Sequence, residues 1–133
     1  MKKAMVLVLA FYLSVTSFYS QQYSRDLMET HGMANGRQWE GMGPTRVLFL
    51  QGLMEGLMAG LIIQGAEARL NEFFPKNFSR GEIADEIDRF YRDRSNVRIP
   101  VFWIYILVIQ KIKGGTPAEL EERLANLRKQ FNE

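Results

Sequence analysis

Between Val47 and Ile63 the only polar side chains are Gln51 and Glu55, and glycine returns at every fourth position as Gly52, Gly56 and Gly60. In a helix interior each glycine costs about 1 kcal/mol relative to alanine, so three in register need a compensating use. Residues four apart share a helix face, and without Cβ atoms that face becomes a groove for a neighbouring backbone. The pattern predicts a long helix from about Pro44, whose fixed φ suits a first helical position, to Phe73. A second helix, from this chain or another, should lie along Gly52, Gly56 and Gly60.

Gln51 and Glu55 stand in the most apolar part of that helix. A carboxylate buried there must find a partner or take up a proton. Glu55 and Gln51, with Trp39 and the nearby Arg46, are therefore the candidate binding residues. The plainer reading places Glu55 on a wetter face or beside an arginine. Regular small-residue spacing is also a dimer face of membrane helices. The acid and amide in mid-span, the short length and the flanking Glu67 and Arg69 argue against a membrane span, so membrane association is kept as an alternative.

The rest of the chain reads as helices with clear boundaries. Ser79 and Glu82 form a capping box, and Ile83, Ile87, Phe90 and Tyr91 follow as one apolar stripe. Pro100 can open the next helix. Val101 to Ile109 is apolar without interruption, which composition alone leaves open between a buried strand and a buried helix. A helix reaching Lys113 is preferred, because Gly114-Gly115 makes a sound stop. Thr116 and Glu119 form a second capping box with Pro117 at the first helical position, and Leu120, Leu124, Leu127 and Phe131 give an amphipathic stripe. The expected fold is all-α, a compact bundle of about four helices. Residues 21–43, with an Asn35-Gly36 tight turn, read mostly as loop.

The first twenty residues follow the layout of a secretory signal: Lys2 and Lys3, an apolar run from Ala4 to Val15, then small polar residues. Residues 1–20 are expected to be removed, leaving 21–133 as a single helical domain in the periplasm or outside the cell. Seventeen basic residues against fifteen acidic ones give a pI near 9. Both signal lysines leave on cleavage, which evens the balance and removes the main support for nucleic-acid binding. The chain has no cysteine, so neither a disulfide nor a lipoprotein anchor is available.

Chemistry-bearing motifs are sparse. His31 is the only histidine, so no histidine pair and no multi-histidine metal site can be built within one chain. No catalytic residue, metal site or cofactor is assigned, which argues against an enzyme. Asp85 to Arg89 and Asp88 to Arg92 have the i,i+4 spacing of self-paired charges on a solvated helix face. Trp39 should dock on the domain, as a large aromatic in a glycine-rich segment does, with ligand stacking as the alternative.

Gly36-x-x-Trp39 followed by Arg46-x-x-Phe49-Leu50-x-Gly52-x-x-Glu55-Gly56 resembles an uncharacterised family of small exported bacterial helical proteins. It is also similar to the opening of periplasmic immunity proteins of the Tai/Rap type, which neutralise cell-wall-degrading toxins delivered by type VI secretion. Phe90-Tyr91-x-Asp93 and Asn96-x-x-Ile99-Pro100-Val101 resemble the second half of the former group. The resemblance implies a non-enzymatic binding protein whose partner is another protein, or a homo-oligomer, and carries over no catalytic residue. The competing expectation is a binder or hydrolase of a small molecule or envelope component built on a buried Glu55.

Overall fold

A computed structural model describes residues 33–132; the signal-like segment and His31 lie outside them. The described residues are all-α, with six α-helices and no strand. In chain order these are α1 (Gly36–Gly41), α2 (Arg46–Ile63), α3 (Leu70–Phe73), α4 (Arg80–Arg92), α5 (Val101–Ile112) and α6 (Pro117–Asn132). The four longer helices match the expected bundle, and α1 and α3 are additional.

Alpha-5 is the centre. Val101, Ile104, Tyr105, Leu107, Val108 and Ile109 are all buried, because α4 packs on it from one side and α6 from another. Enclosure on several faces is what an uninterrupted apolar run requires, and it settles that segment as helix. Alpha-4 contributes Ile83, Ala84, Ile87 and Tyr91 to the same core, and α6 contributes Leu124. Both expected capping boxes form. Ser79 Oγ accepts from the Glu82 N–H while Glu82 Oε2 accepts from the Ser79 N–H, and Thr116 and Glu119 repeat the exchange. These bonds favour the ionised carboxylates and hold Glu82 and Glu119 below the usual carboxylate range.

Two boundaries differ from the sequence reading. The long helix stops at Ile63 and not at Phe73, because Gly65 takes a left-handed φ of 67°. The Gly65 N–H then donates to Ile62 O (3.0 Å) and the Ala66 N–H to Leu61 O (2.8 Å), a Schellman closure. Asn35-Gly36, expected as a tight turn in a loop, instead starts α1. The Asn35 side chain accepts from the Arg37 N–H and its own N–H donates to Gln38 Oε1, at 3.0 and 2.8 Å.

Alpha-1 is pinned to the core by a corner built from the α4–α5 connection. The Gly36 N–H donates to Val97 O (3.0 Å) and the Val101 N–H to Ala34 O (2.7 Å). A Cβ on Gly36 would stand 2.6 Å from the Tyr91 ring, so only glycine lets α1 approach. Tyr91 Oη donates to Ile99 O (2.8 Å), and buried Asn96 donates to Phe90 O (2.7 Å) while accepting from Arg128 Nε (2.8 Å). Gly36, Tyr91, Asn96, Ile99 and Val101 are thus gathered at one corner, where they hold helices together.

Candidate functional site

The four candidate binding residues fall into two places. Trp39 and Arg46 meet Asp88 of α4, whereas Gln51 and Glu55 lie on the exposed side of α2.

Trp39 is fully buried, and its indole N–H donates to Asp88 Oδ1 at 2.6 Å. Arg46 grips the same carboxylate, its Nη1 lying 3.0 and 2.8 Å from Oδ1 and Oδ2. Its Nε donates to Trp39 O and its Nη2 to Glu40 O, and the guanidinium lies over the indole ring 5.6 Å from the centroid. Every nitrogen of Arg46 is engaged, so little remains to bind an anion. A shallow cavity of about 240 Å³ touches this knot, lined by Trp39, Glu40, Arg46, Asp88, Tyr91, Arg92 and Arg94. The expected i,i+4 pairing is redirected here: Asp88 takes Arg46 rather than Arg92, and Arg89 pairs with Glu86. Trp39 is therefore a docked core residue, as expected, and the knot closes the corner chemically as well as sterically.

Alpha-2 behaves differently. Leu50 and Leu61 are buried, and Phe49, Leu53, Met54 and Leu57 pack against the core, so one side of the helix runs along α4. The opposite side is also apolar yet uncovered: Leu48 is 67% exposed, Ile62 47% and Ile63 84%. Among the described residues, no atom beyond the helix's own adjoining residues and backbone lies within 4 Å of the point where a Cβ would stand on Gly52, Gly56 or Gly60. The groove that the glycine spacing predicts is present, and no described helix lies in it. Helical periodicity puts Leu48, Gly52, Ala59, Ile62 and Ile63 on this face, with Glu55 among them, Gln51 along one edge and Gly56 along the other.

Of the two readings of Glu55, buried in the apolar helix or on a wetter face, the structure has the second. The Glu55 side chain is exposed and accepts a hydrogen bond from Gln51 Nε2 at 2.8 Å. Apolar neighbours along the chain do not bury a residue when no second element packs over that side. The stretch Gly43–Ile63 is long and apolar enough to cross a membrane by length and composition, with a mean hydropathy of 1.5, and only 11% of it is buried.

Sequence reasoning missed a third region. A cavity of about 400 Å³ lies between α3, α5 and α6, lined by Glu72, Phe73, Ile106, Ile109, Gln110, Lys113, Gly115 and Arg123. Gln110 has a side-chain oxygen that is buried without a hydrogen-bond partner. Nothing in the local pattern singles out Gln110, which reads as the polar end of an apolar helix. Among the described residues no group of three or more histidine, cysteine, aspartate or glutamate side chains is placed to hold a metal ion.

Comparison of the chain with protein-family models, with curated proteins and with solved structures finds no match in any of the three.

Proposed function

We propose that the chain is an exported, non-enzymatic interaction protein that receives a helix of a partner protein along the open face of α2. The observation that carries this reading is the empty glycine groove flanked by exposed Leu48, Ile62 and Ile63. A helix whose outer face were meant for water would carry more polar residues there than Gln51 and Glu55. Large apolar side chains beside three glycines instead suit close approach of another helix. In the immunity-like form of this reading, the partner is a cell-wall-degrading enzyme that the protein covers.

Gly56→Leu provides the test. Leucine is a better helix former than glycine, so the substitution leaves α2 intact while filling the groove. A crosslinked pull-down from the native host, with the chain's own leader retained, should give one stoichiometric partner for the parent protein and lose it for the variant. The same proteins recovered with both forms would remove α2 from the role.

A second reading rests on the length and apolarity of Gly43–Ile63: the open face of α2 rests in a lipid surface rather than on a protein. Leu50, Leu53 and Leu57 pack on the domain, so α2 would lie in the surface plane, as interfacial helices do. Full release of the protein in a soluble periplasmic fraction would eliminate stable lipid contact.

A further inference from the structure

The cavity between α3, α5 and α6 shares no residue with α2 and offers a different chemistry. Its walls are apolar where Phe73, Ile106 and Ile109 stand, and polar at Gln110, Lys113, Arg123 and Glu72. At about 400 Å³ it falls within the size range of small-molecule sites. A second hollow of about 250 Å³ adjoins it across Ile106 and Arg123, with Trp103, Leu107 and Leu127 on its walls.

The charges around the cavity leave it cationic. Glu72, its only acid, is engaged by Arg69 at 3.1 Å. Lys113 Nζ donates to the carbonyls of Asn71 and Glu72 at 3.2 and 3.4 Å, which satisfy hydrogen bonds without neutralising the ammonium. Arg123 has no hydrogen bond or ion pair within 4 Å among the described residues; its one recorded interaction is the long-range field that helps keep Glu119 ionised. Two cations thus border an apolar cavity together with one unsatisfied amide oxygen, that of Gln110.

A buried acceptor without a donor is costly, and replacing it with an apolar group of similar shape is usually harmless or stabilising. An occupant that gives Gln110 a donor while meeting Lys113 and Arg123 with negative charge accounts for all three. We propose that this cavity binds the carboxylate end of a peptide, or an N-acyl amino acid, that carries an apolar side chain. The carboxylate meets the Arg123 guanidinium and the Lys113 ammonium. The Gln110 terminal amide turns toward the cavity so that its oxygen, enclosed in the free protein, accepts from the adjacent amide N–H, and the side chain rests on Phe73, Ile106 and Ile109 or enters the neighbouring hollow.

The test uses the full-length protein and N-acetyl-leucine as probe, followed by NMR at the Gln110 side-chain amide and the Gly115 N–H. Saturable shifts at both positions at millimolar probe are expected, with affinity falling about tenfold or more for N-acetyl-leucinamide, which lacks the charge, and for Arg123→Gln. 4-Methylpentanoate, with the same side chain and carboxylate but no N–H, should bind more weakly to the parent protein and equally well to Gln110→Met. That second variant keeps the experiment informative if Arg123→Gln disturbs the fold. Absence of shifts, equal binding of acid and amide, or equal binding of N-acetyl-leucine and 4-methylpentanoate would each overturn the proposal.

Discussion

Alpha-2 and α5 are both strongly apolar helices, yet α5 is enclosed and α2 is half bare. Alpha-5 carries no glycine between Val101 and Ile112, and its large side chains fill the space between α4 and α6. Alpha-2 carries three glycines with open space beside each, Gly52 and Gly56 on the side facing away from α4 and Gly60 on its flank. Apolarity therefore states how much surface a helix must hide, while the number of neighbouring elements states how much it can. The described helices surround one apolar helix, and the second keeps a bare face.

Truncation of matched side chains on the two helices should break the likeness between them most sharply. Ile104 is fully buried on α5, and Ile104→Ala should cost roughly 2–5 kcal/mol through lost burial and the cavity left behind. Leu48 on α2 is mostly exposed, and Leu48→Ala should stay within about 0.5 kcal/mol, as surface substitutions do. Urea unfolding of the two variants measures both. Similar losses would mean that the outer face of α2 is covered within the folded chain, which would remove it as a docking surface.

Alkaline pH should also act through the enclosed helix. Tyr105 on α5 donates its hydroxyl to Phe73 O at 2.6 Å, and burial pushes its phenol up to about 12. An unfolded tyrosine ionises near 10. Below that pH both states keep the proton and the stabilisation is complete. Above it the unfolded state loses the proton first, so stability declines as pH rises from about 10 to about 12. Tyr91, also buried, shifts in the same direction and adds to the decline. Tyr105→Phe should lose about 1 kcal/mol at neutral pH with its hydrogen bond and show a shallower alkaline decline. An unchanged slope of the unfolding midpoint against pH would show that Tyr105 is not the group responsible.

Local signals carried much of this architecture, and distant pairing explains most of what was hidden. Ser79 with Glu82, Thr116 with Glu119, and Pro100 at the entry to α5 mark helix starts because each acts within one turn. The Asn35–Gln38 capping box was equally local, but Asn-Gly also signals a turn, and the competing pattern masked it. Gly65 follows Gly60 by five residues and so falls out of the every-fourth register of Gly52, Gly56 and Gly60; its left-handed φ shows that it ends α2. The Arg46–Asp88 pair spans 42 residues, whereas Asp88 and Arg92 stand ready at i,i+4, so proximity along the chain pointed to the wrong partner. Exposure of Glu55 was not legible for the same reason: it depends on which helix covers α2, and none among the described residues does.

The smallest effect discriminates most finely between the two helices, because it reverses the usual sign. Gly56 lies within α2 with open space where its Cβ would stand, so Gly56→Ala removes the glycine penalty and meets no clash. It should stabilise the folded protein by about 0.5–1 kcal/mol, whereas every truncation on α5 destabilises it. A helix interior that tolerates an added methyl group and gains from it retains glycine for something other than its own stability. If stability rises while the pull-down partner is lost or weakened, close helix approach is that reason, and stability and binding oppose each other at this position. If stability falls, some group already occupies the groove in the folded chain, and α2 resembles α5 more closely than its exposure indicates.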